Sequence, residues 1–171
     1  RLARKQILGQ YKTVLLKRKQ KDLRTRTEQA KAHGIIKNIQ FSKEYIKLCC
    51  ALMWWCEGNK NSSFLRFTSS DVTLIKNFLS LLRKGFILDE SKFRVLVHLH
   101  AYHNDYKQRV FWSQVTKIPL SQFHKSFQKK NSGKRTKENY PGCIAPTYYD
   151  ARIAKELEAL YNEFTKSRGV R

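Results

Sequence analysis

The sequence predicts an α+β fold on three observations. Residues 93–102 alternate apolar and polar side chains, as a half-buried strand does. A hydrophobic content of 41% in 171 residues is enough for one core with an additional segment. A helix is indicated by apolar residues that recur every three or four positions, namely Leu74, Ile75, Phe78, Leu79 and Leu82. We therefore expect one domain over residues 41–171, preceded by a separate arm over residues 1–40.

The arm is strongly basic. Residues 1–40 hold twelve Lys and Arg against two acids. Good helix formers and the short apolar set Leu8, Tyr11 and Leu15 predict one or two helices, broken near Gly34. A basic helix laid on phosphates is the functional interpretation, and a merely solvated helix is the alternative. The candidate phosphate contacts in the arm are Lys17, Arg18 and Arg24.

A long apolar helix is expected next, with Ser42 as its N-cap and Gly58 at its end. A helix that is apolar on most faces is either a core helix or one that pairs with a copy of itself. Small side chains on one stripe would permit a close helix crossing. This stripe comprises Cys49, Leu52, Met53 and Cys56. Trp54 and Trp55 are expected in the core.

One acid, Glu57, ends this apolar run in a chain whose formal net charge is +22. An acid at the buried end of an apolar helix costs desolvation energy unless a cation lies beside it. A divalent metal is one such cation, and an ion pair with Lys60 or Arg66 is the alternative. If the metal also meets a phosphate, the excess of Lys and Arg serves to draw a polyanion to the acid.

The rest of the domain is predicted to mix short strands and helices. Residues 64–68 form a strand, Ser70 or Asp71 caps the amphipathic helix, and Gly85 closes it. The later elements are a helix from Asp105 through Val115, a turn ended by Pro119, a strand over residues 123–129, a mobile basic loop over 129–137, a strand over 143–149 and a helix capped by Asp150.

The strand over residues 93–102 has two unlike faces. Val95, Val97 and Leu99 lie on one face, and Arg94, His98 and His100 lie on the other. A zinc site that includes His103 is the alternative to a strand facing nucleic acid, but no matching acid or cysteine cluster accompanies these histidines. Phe127, Tyr148 and Tyr149 are expected in the core, with base stacking as the alternative.

The charge balance indicates the partner. The chain has 35 Lys and Arg against 13 Asp and Glu, with a pI near 10.1. A fold gains nothing from so much like charge unless a partner neutralises it, which favours nucleic acid. An anionic membrane surface is the competing interpretation.

The compartment is expected to be intracellular, either cytoplasmic or nucleoid-associated. No apolar stretch approaches the roughly 20 residues of a membrane span, and no signal pattern opens the sequence. The four cysteines include no CxxC pair and are expected to be small core or interface residues in a reducing cell. We therefore expect a soluble protein with no membrane partner.

Residues 48–83 resemble a single-motif LAGLIDADG homing-endonuclease domain. The resemblance is carried by the apolar helix ending in Glu57 and Gly58, the strand ending at 68–71 and the helix that follows. Residues 111–119 and 147–150 are similar to small LAGLIDADG-like proteins of microbial genomes. The resemblance covers about residues 41–165. Its nine-residue motif spans Cys50 to Gly58, where Ala51, Glu57 and Gly58 match.

The resemblance implies a fold, a partner and an activity. The fold is LAGLIDADG-like, with helices packed on an antiparallel β-saddle that lies in the major groove of double-stranded DNA. One motif per chain implies a homodimer in which two Glu57 side chains meet at the symmetry axis. The activity implied is site-specific, metal-dependent endonuclease cleavage at a roughly palindromic site. Only a short loop separates Gly58 from the strand over 64–68, so the first saddle strand is expected to be shortened or absent.

The resemblance also assigns site residues. Glu57, with Gly58, would hold Mg²⁺ or Mn²⁺, because such sites use few protein ligands. Two carboxylates sharing metals can bring an attacking water and a leaving oxygen to one phosphate. Lys125 and Lys117 are the candidates by position for the family's catalytic basic residue. The candidate DNA contacts are Arg66, Arg94, His98, His100, Lys129, Lys130, Lys134 and Arg135, together with the three arm residues.

Two alternatives stay open beside the nuclease. A non-cleaving regulator or an RNA-binding maturase on the same fold would leave Glu57 a structural residue. A general RNA-binding module, with most of its affinity in the arm, is the third hypothesis. Competition between duplex DNA and structured RNA would separate this third hypothesis from DNA binding.

Overall fold

In a computed structural model, the chain is described over residues 2–60, 63–129 and 140–167, with side chains from Gln10 onward. It separates into two units, Arg1–Phe41 and Ser42–Arg171. Five α-helices and four strands lie in the described residues. This mixture confirms the predicted α+β class.

The first unit is one helix, α1 (Leu2–Asn38), of 37 residues. The expected break near Gly34 is wrong, because the helix continues through that residue. A glycine inside a helix costs about 1 kcal/mol relative to alanine, and this cost alone does not end a helix. All its described side chains from Gln10 to Asn38 are exposed.

Two helices of the second unit begin at the caps that the sequence predicts. In α2 (Lys43–Glu57), Ser42 Oγ accepts the backbone N–H of Tyr45 at 3.2 Å. In α3 (Val72–Gly85), Asp71 rather than Ser70 is the cap, and its carboxylate accepts the backbone N–H groups of Thr73 and Leu74. Such caps satisfy backbone donors that have no partner within the helix.

The four strands form one sheet in the order β1-β4-β2-β3. They are β1 (Leu65–Arg66), β2 (Phe93–His100), β3 (Phe127–Lys129) and β4 (Cys143–Tyr148). β4 runs antiparallel to β1 and β2, whereas β2 and β3 are parallel. The expected antiparallel saddle is therefore wrong, and the sheet is mixed. The physical reason is α4 (Asp105–Thr116), a crossover helix that returns the chain to the end of the sheet where β2 began.

Both edge strands are shorter than expected. The strand predicted over residues 64–68 is reduced to β1, flanked by single bridges from Gly58 to Phe67 and from Ser69 to Ile144. The strand predicted over residues 123–129 is reduced to β3, because Phe123 makes one bridge to Val95 before the chain leaves the sheet. Short edge strands limit the backbone available for pairing with other chains.

The core lies between one face of the sheet and the helices. Val95, Val97 and Leu99 are fully buried, as the alternation predicts. The ring of Phe67 stacks on that of Phe78 in α3, with centroids 4.0 Å apart. The last helix, α5 (Ala151–Ser167), is capped by Asp150 as predicted and also packs on this core. The opposite face of the sheet is left for other contacts.

Candidate nucleic-acid interface

The face of the sheet opposite the core gathers basic side chains from three strands. On β2, Arg94, His98 and His100 lie on this face, as predicted, and are half-buried. Strand pairing places Arg66 of β1 beside Thr147 of β4, which in turn faces Arg94. Lys129 of β3 lies beside His100. We call Arg66, Arg94, His98, His100 and Lys129 the basic face.

Side-chain contacts hold the basic face together. Arg66 Nε donates to Thr147 Oγ1 at 3.1 Å. The rings of His98 and Phe127 lie 5.5 Å apart between centroids. No acid occupies this face among the residues that the structure describes on its four strands. The face therefore presents positive charge without an internal counter-charge.

The pKa of His98 is lowered. Burial of the ring is the main cause, and the positive charges of Lys129 and Arg66 add to it. The neighbouring thiol of Cys143 on β4 has a raised pKa, chiefly through burial, so it supplies no negative charge near neutral pH. Because Lys129 and Arg66 both lower the pKa of His98, the electrostatic potential around this ring is positive.

An open cavity of about 400 Å³ lies at one end of the basic face. It is lined by Ser91, Lys92, Arg94, His124 and Tyr149. The Arg94 guanidinium is fixed there, because Nη1 donates to the carbonyls of Ser91 at 2.7 Å and of Phe93 at 2.6 Å. The cavity therefore adds the basic residues Lys92 and His124 to those expected from the sequence.

Glu57 does not lie at a buried helix end, contrary to the expectation. Its side chain is exposed, as is that of Cys56. The buried side chains of α2 are Cys50, Ala51 and Trp54. Glu57 lies on nearly the same stripe as Cys50 and Trp54, but the helix has passed the edge of the core by that turn. Within a single chain, the Glu57 carboxylate therefore does not pay the desolvation cost that the sequence suggested.

The alternative ion pairs of Glu57 are not formed within the described residues. Lys60 Nζ donates to the carbonyl of Trp55 instead. Arg66 is engaged with Thr147, and its guanidinium lies over the ring of Phe64, 5.1 Å from the centroid. Among the described residues, none forms a salt bridge with Glu57.

A divalent metal at Glu57 would need oxygen ligands around this carboxylate. Across residues 2–60, 63–129 and 140–167, no three His, Cys, Asp or Glu side chains come together as a metal site. An exposed carboxylate without a cationic partner still suits Mg²⁺ or Mn²⁺, which keep waters and take phosphate oxygens as ligands. The Glu57 carboxylate could therefore supply one oxygen ligand to such a metal.

The backbone of Gly58 packs too closely against Trp54 for a residue with a side chain. Its backbone N–H donates to the carbonyl of Trp54 at 2.7 Å. A Cβ at this position would collide with the indole ring and the carbonyl of Trp54. The close approach explains Gly58 without any metal.

The structure does not bring Lys117 or Lys125 beside Glu57 within one chain. Lys117 caps α4, and the preceding carbonyl of Thr116 accepts from Arg83 near the end of α3. That end of α3 approaches the first turns of α2, since a Cβ at Gly85 would touch Lys47. Lys47 and Glu57 are ten residues apart, about 15 Å along the helix. Lys117 therefore lies toward the opposite end of α2 from Glu57.

Lys125 lies at the other edge of the sheet from Glu57. It is exposed and follows Phe123 and His124, which pair with Val95 on the β3 side of β2. Glu57 precedes Gly58, which pairs with Phe67 beside β1. Three strand spacings of about 4.8 Å separate the two edges.

The histidines form no zinc-type cluster in the described part of the chain. His103 Nδ1 lies 3.0 Å from the backbone N of His100, and its Nε2 lies 2.9 Å from the carbonyl oxygen of Tyr140. Both ring nitrogens of His103 are thus occupied by backbone groups. The nucleic-acid-facing role of this strand stays a prediction.

The remaining predicted contacts belong to the first unit or lie outside the described residues. Lys17, Arg18 and Arg24 are exposed on α1. Lys130, Lys134 and Arg135 lie outside the described residues, as does most of the predicted basic loop. The three arm residues belong to the first unit and stay predicted phosphate contacts.

Three aromatic side chains expected in the core are exposed instead. Trp55 is 40% exposed and stacks on Tyr161, with ring centroids 5.5 Å apart. Phe127 is 54% exposed and Tyr149 is 48% exposed, whereas Tyr148 and Trp54 are buried as predicted. Alternation along β4 separates Tyr149 from Tyr148, and this signal was present in the sequence. For Phe127, only the pairing with His98 settles its face.

Comparison with protein-family models, with curated proteins and with solved structures gave no match to this chain. Within the described residues, no helix has the length and apolar character to cross a membrane.

Proposed function

We propose that this chain binds double-stranded DNA through the basic face and, as a LAGLIDADG-like homodimer, cleaves it with Glu57 as a metal ligand. The observation that carries the binding proposal is the basic face itself. Three strands present five cationic or titratable basic side chains there, with no acid among the described residues of the face. Phosphate is the anion that such a surface meets in a nucleic acid.

The chemistry of the basic face suits both backbone and base contacts. Arg66 and Arg94 carry rigid guanidinium groups, which match phosphate oxygens and the major-groove edge of guanine. Imidazole groups such as those of His98 and His100 can donate to or accept from base edges. The formal net charge of +22 would add long-range attraction to DNA.

An incompletely buried stripe of α2 supports pairing with a second copy. Cys49, Leu52 and Met53 are half-buried and Cys56 is exposed, although all four are apolar or small. A second α2 packed on this stripe would bury it and bring two Glu57 side chains near the same axis. A metal bound there would polarise a phosphoryl oxygen and lower the pKa of a bound water. Glu57 itself supplies a charged oxygen ligand.

A non-cleaving binder is the second candidate, and one observation favours it. Neither Lys117 nor Lys125 lies beside Glu57 within a chain, and among the described residues no Lys or Arg forms a salt bridge with this proposed metal ligand. A regulator or an RNA-binding maturase needs the basic face and no catalytic cation.

The test is cleavage of a randomised duplex library with Mg²⁺, followed by sequencing of new ends. Wild-type protein is compared with Glu57→Gln and with Glu163→Gln, an exposed acid on α5 paired with Lys166. New ends made by the wild type and by Glu163→Gln, but not by Glu57→Gln or without metal, are expected. DNA that is bound and uncut in all samples would support the non-cleaving binder, and absence of binding would overturn both candidates.

A further inference from the structure

We infer that the cavity lined by Ser91, Lys92, Arg94, His124 and Tyr149 receives one unpaired nucleotide of the bound nucleic acid. The base stacks on Tyr149 and its phosphate contacts Arg94. This inference rests on the proposed binding of nucleic acid and names a feature of the substrate. It does not require that the chain cleaves DNA.

The size of the cavity suits one nucleotide. Its volume of about 400 Å³ falls in the range of small-molecule sites, which begins at about 300 Å³. The cavity is open, so a nucleotide that stays attached to a strand can enter it. It also adjoins the basic face, because Arg94 belongs to both.

Tyr149 offers a supported aromatic surface. Its ring is 48% exposed at the end of β4. One side contacts the ring of Phe64, with centroids 5.7 Å apart, and its backbone N–H donates to the carbonyl of Lys92 at 3.2 Å. The ring therefore has an aromatic neighbour on one side and is half open to solvent. Bases stack on such rings with little dependence on sequence.

The charge around the cavity is suited to a phosphate. Arg94 is held by two backbone carbonyls and has no carboxylate partner among the described residues. Lys92 is paired with Asp150, with 3.2 Å between Nζ and Oδ2. Burial alone would raise the pKa of Asp150, but hydrogen bonds from Lys92 and from the N–H groups of Ile153 and Arg152 lower it overall. The Asp150 carboxylate thus stays ionised but is paired with Lys92, which leaves Arg94, with His124 beside it in the lining, to meet the anion.

An unpaired nucleotide is required because paired bases do not offer their faces. In a duplex, each base is covered above and below by its neighbours, whereas a bulged or extruded base can stack on a side chain. A cavity lined only by cations would bind the phosphate of a paired nucleotide as well as that of an unpaired one. The exposed ring of Tyr149 is the feature that selects an unpaired base.

The experiment measures affinity for two DNA duplexes that differ in one unpaired 2-aminopurine. Fluorescence anisotropy gives the dissociation constants, and 2-aminopurine emission reports stacking. The variants are Tyr149→Leu, which removes the ring, and Tyr149→Phe, which keeps it. The matched control is Tyr106→Leu, since Tyr106 is 71% exposed on α4 away from the cavity lining. A bulged RNA duplex is measured in parallel.

We expect wild-type protein to bind the bulged DNA about tenfold more tightly than the paired DNA and to quench the probe. Tyr149→Leu should abolish this preference while binding paired DNA as the wild type does, and Tyr149→Phe and Tyr106→Leu should retain it. A preference that survives Tyr149→Leu, or equal binding of both duplexes by the wild type, would overturn the inference and leave the proposed function standing. If the wild type bound none of the duplexes, both the inference and the proposed function would be overturned. A bulged RNA bound more tightly than the bulged DNA would support the cavity and favour the RNA-binding alternative.

Discussion

Arg66 on β1 and Thr147 on β4 are joined by a hydrogen bond of 3.1 Å from Nε to Oγ1 across 81 positions of sequence. Thr147 also faces Arg94 of β2 through the register of β4. Two guanidinium groups therefore stand on either side of one buried threonine. This row is the structural basis of the basic face, because neither local sequence segment contains both arginines.

The row predicts the salt dependence of binding. Each of Arg66→Gln and Arg94→Gln should weaken duplex DNA binding and reduce the magnitude of the log–log salt slope by about 0.9, the value for one lost phosphate contact. Lys155→Gln, an exposed change on α5, is the control and should leave the slope unchanged. The measurement is fluorescence anisotropy between low and moderate salt. Equal slopes in all four proteins would mean that phosphates lie elsewhere.

His98 predicts a pH effect on stability. Its pKa in the folded chain lies below the ordinary value of 6.5. The imidazole therefore binds a proton more tightly in the unfolded chain than in the folded chain. The contribution of His98 to stability is complete above pH 6.5. It falls as the pH drops through this value toward the folded pKa. In His98→Gln, the loss of unfolding free energy over this window should be smaller. Urea unfolding at pH 7.5 and pH 5.5 measures it, and an identical loss in both proteins would contradict the assignment.

The same histidine predicts a response to DNA. A phosphate near His98 would oppose the effects of Lys129 and Arg66 and raise the pKa of the imidazole. NMR titration of the His98 ring, with and without a duplex oligonucleotide, measures the shift. His33 on α1 is an internal comparison that separates the effect of the arm from that of the sheet. An unchanged His98 in the saturated complex would place the DNA away from the basic face.

The incompletely buried stripe of α2 predicts specific cross-linking. Cys56 is exposed, whereas Cys50 is buried and its thiol has a pKa raised by burial, so Cys56 should react far more readily. If α2 pairs with a second copy, a short bismaleimide should link two chains through Cys56. Denaturing electrophoresis should show a dimer band in the wild type and lose it in Cys56→Ser. An equally strong band in Cys56→Ser would mean that the chains are not joined through this residue.

Gly58 and Gly34 predict opposite responses to alanine. Gly58→Ala should destabilise the fold by about 1 to 3 kcal/mol, because the new Cβ collides with the ring and carbonyl of Trp54. Gly34→Ala is the matched control, since nothing lies within 4 Å of a Cβ there, and alanine favours the helix by about 1 kcal/mol. Urea unfolding followed by circular dichroism measures the two effects. A neutral Gly58→Ala would show that Trp54 can move aside.

Lys117 is the described non-glycine residue with a positive φ, at 60°. A side chain in this left-handed conformation costs about 1 to 2 kcal/mol that glycine avoids. Lys117→Gly should therefore raise the unfolding free energy by about 1 kcal/mol, whereas Lys117→Ala should not. The same stable variant also tests the catalytic assignment of Lys117, because a defect in cleavage could then not come from unfolding.

Local features of the fold were predictable where a few neighbouring residues decide them. Ser42, Asp71 and Asp150 cap their helices because each side chain reaches backbone N–H groups two or three positions ahead. The two faces of β2 follow from alternation within eight residues. The basic composition and the choice of Arg94, His98 and His100 as one face came from the same short-range rules.

Other features depend on partners distant in sequence. The parallel pairing of β3 follows from the crossover through α4, and it places Phe127 beside His98 and Lys129 beside His100. The exposure of Glu57 depends on where the core ends, although its helical stripe is the buried one. The sequence by itself thus determined the class, the caps, the two faces of β2 and the positive charge. Only the tertiary structure decided the register that joins Arg66, Thr147 and Arg94, because strand pairing depends on contacts between distant segments rather than on local periodicity.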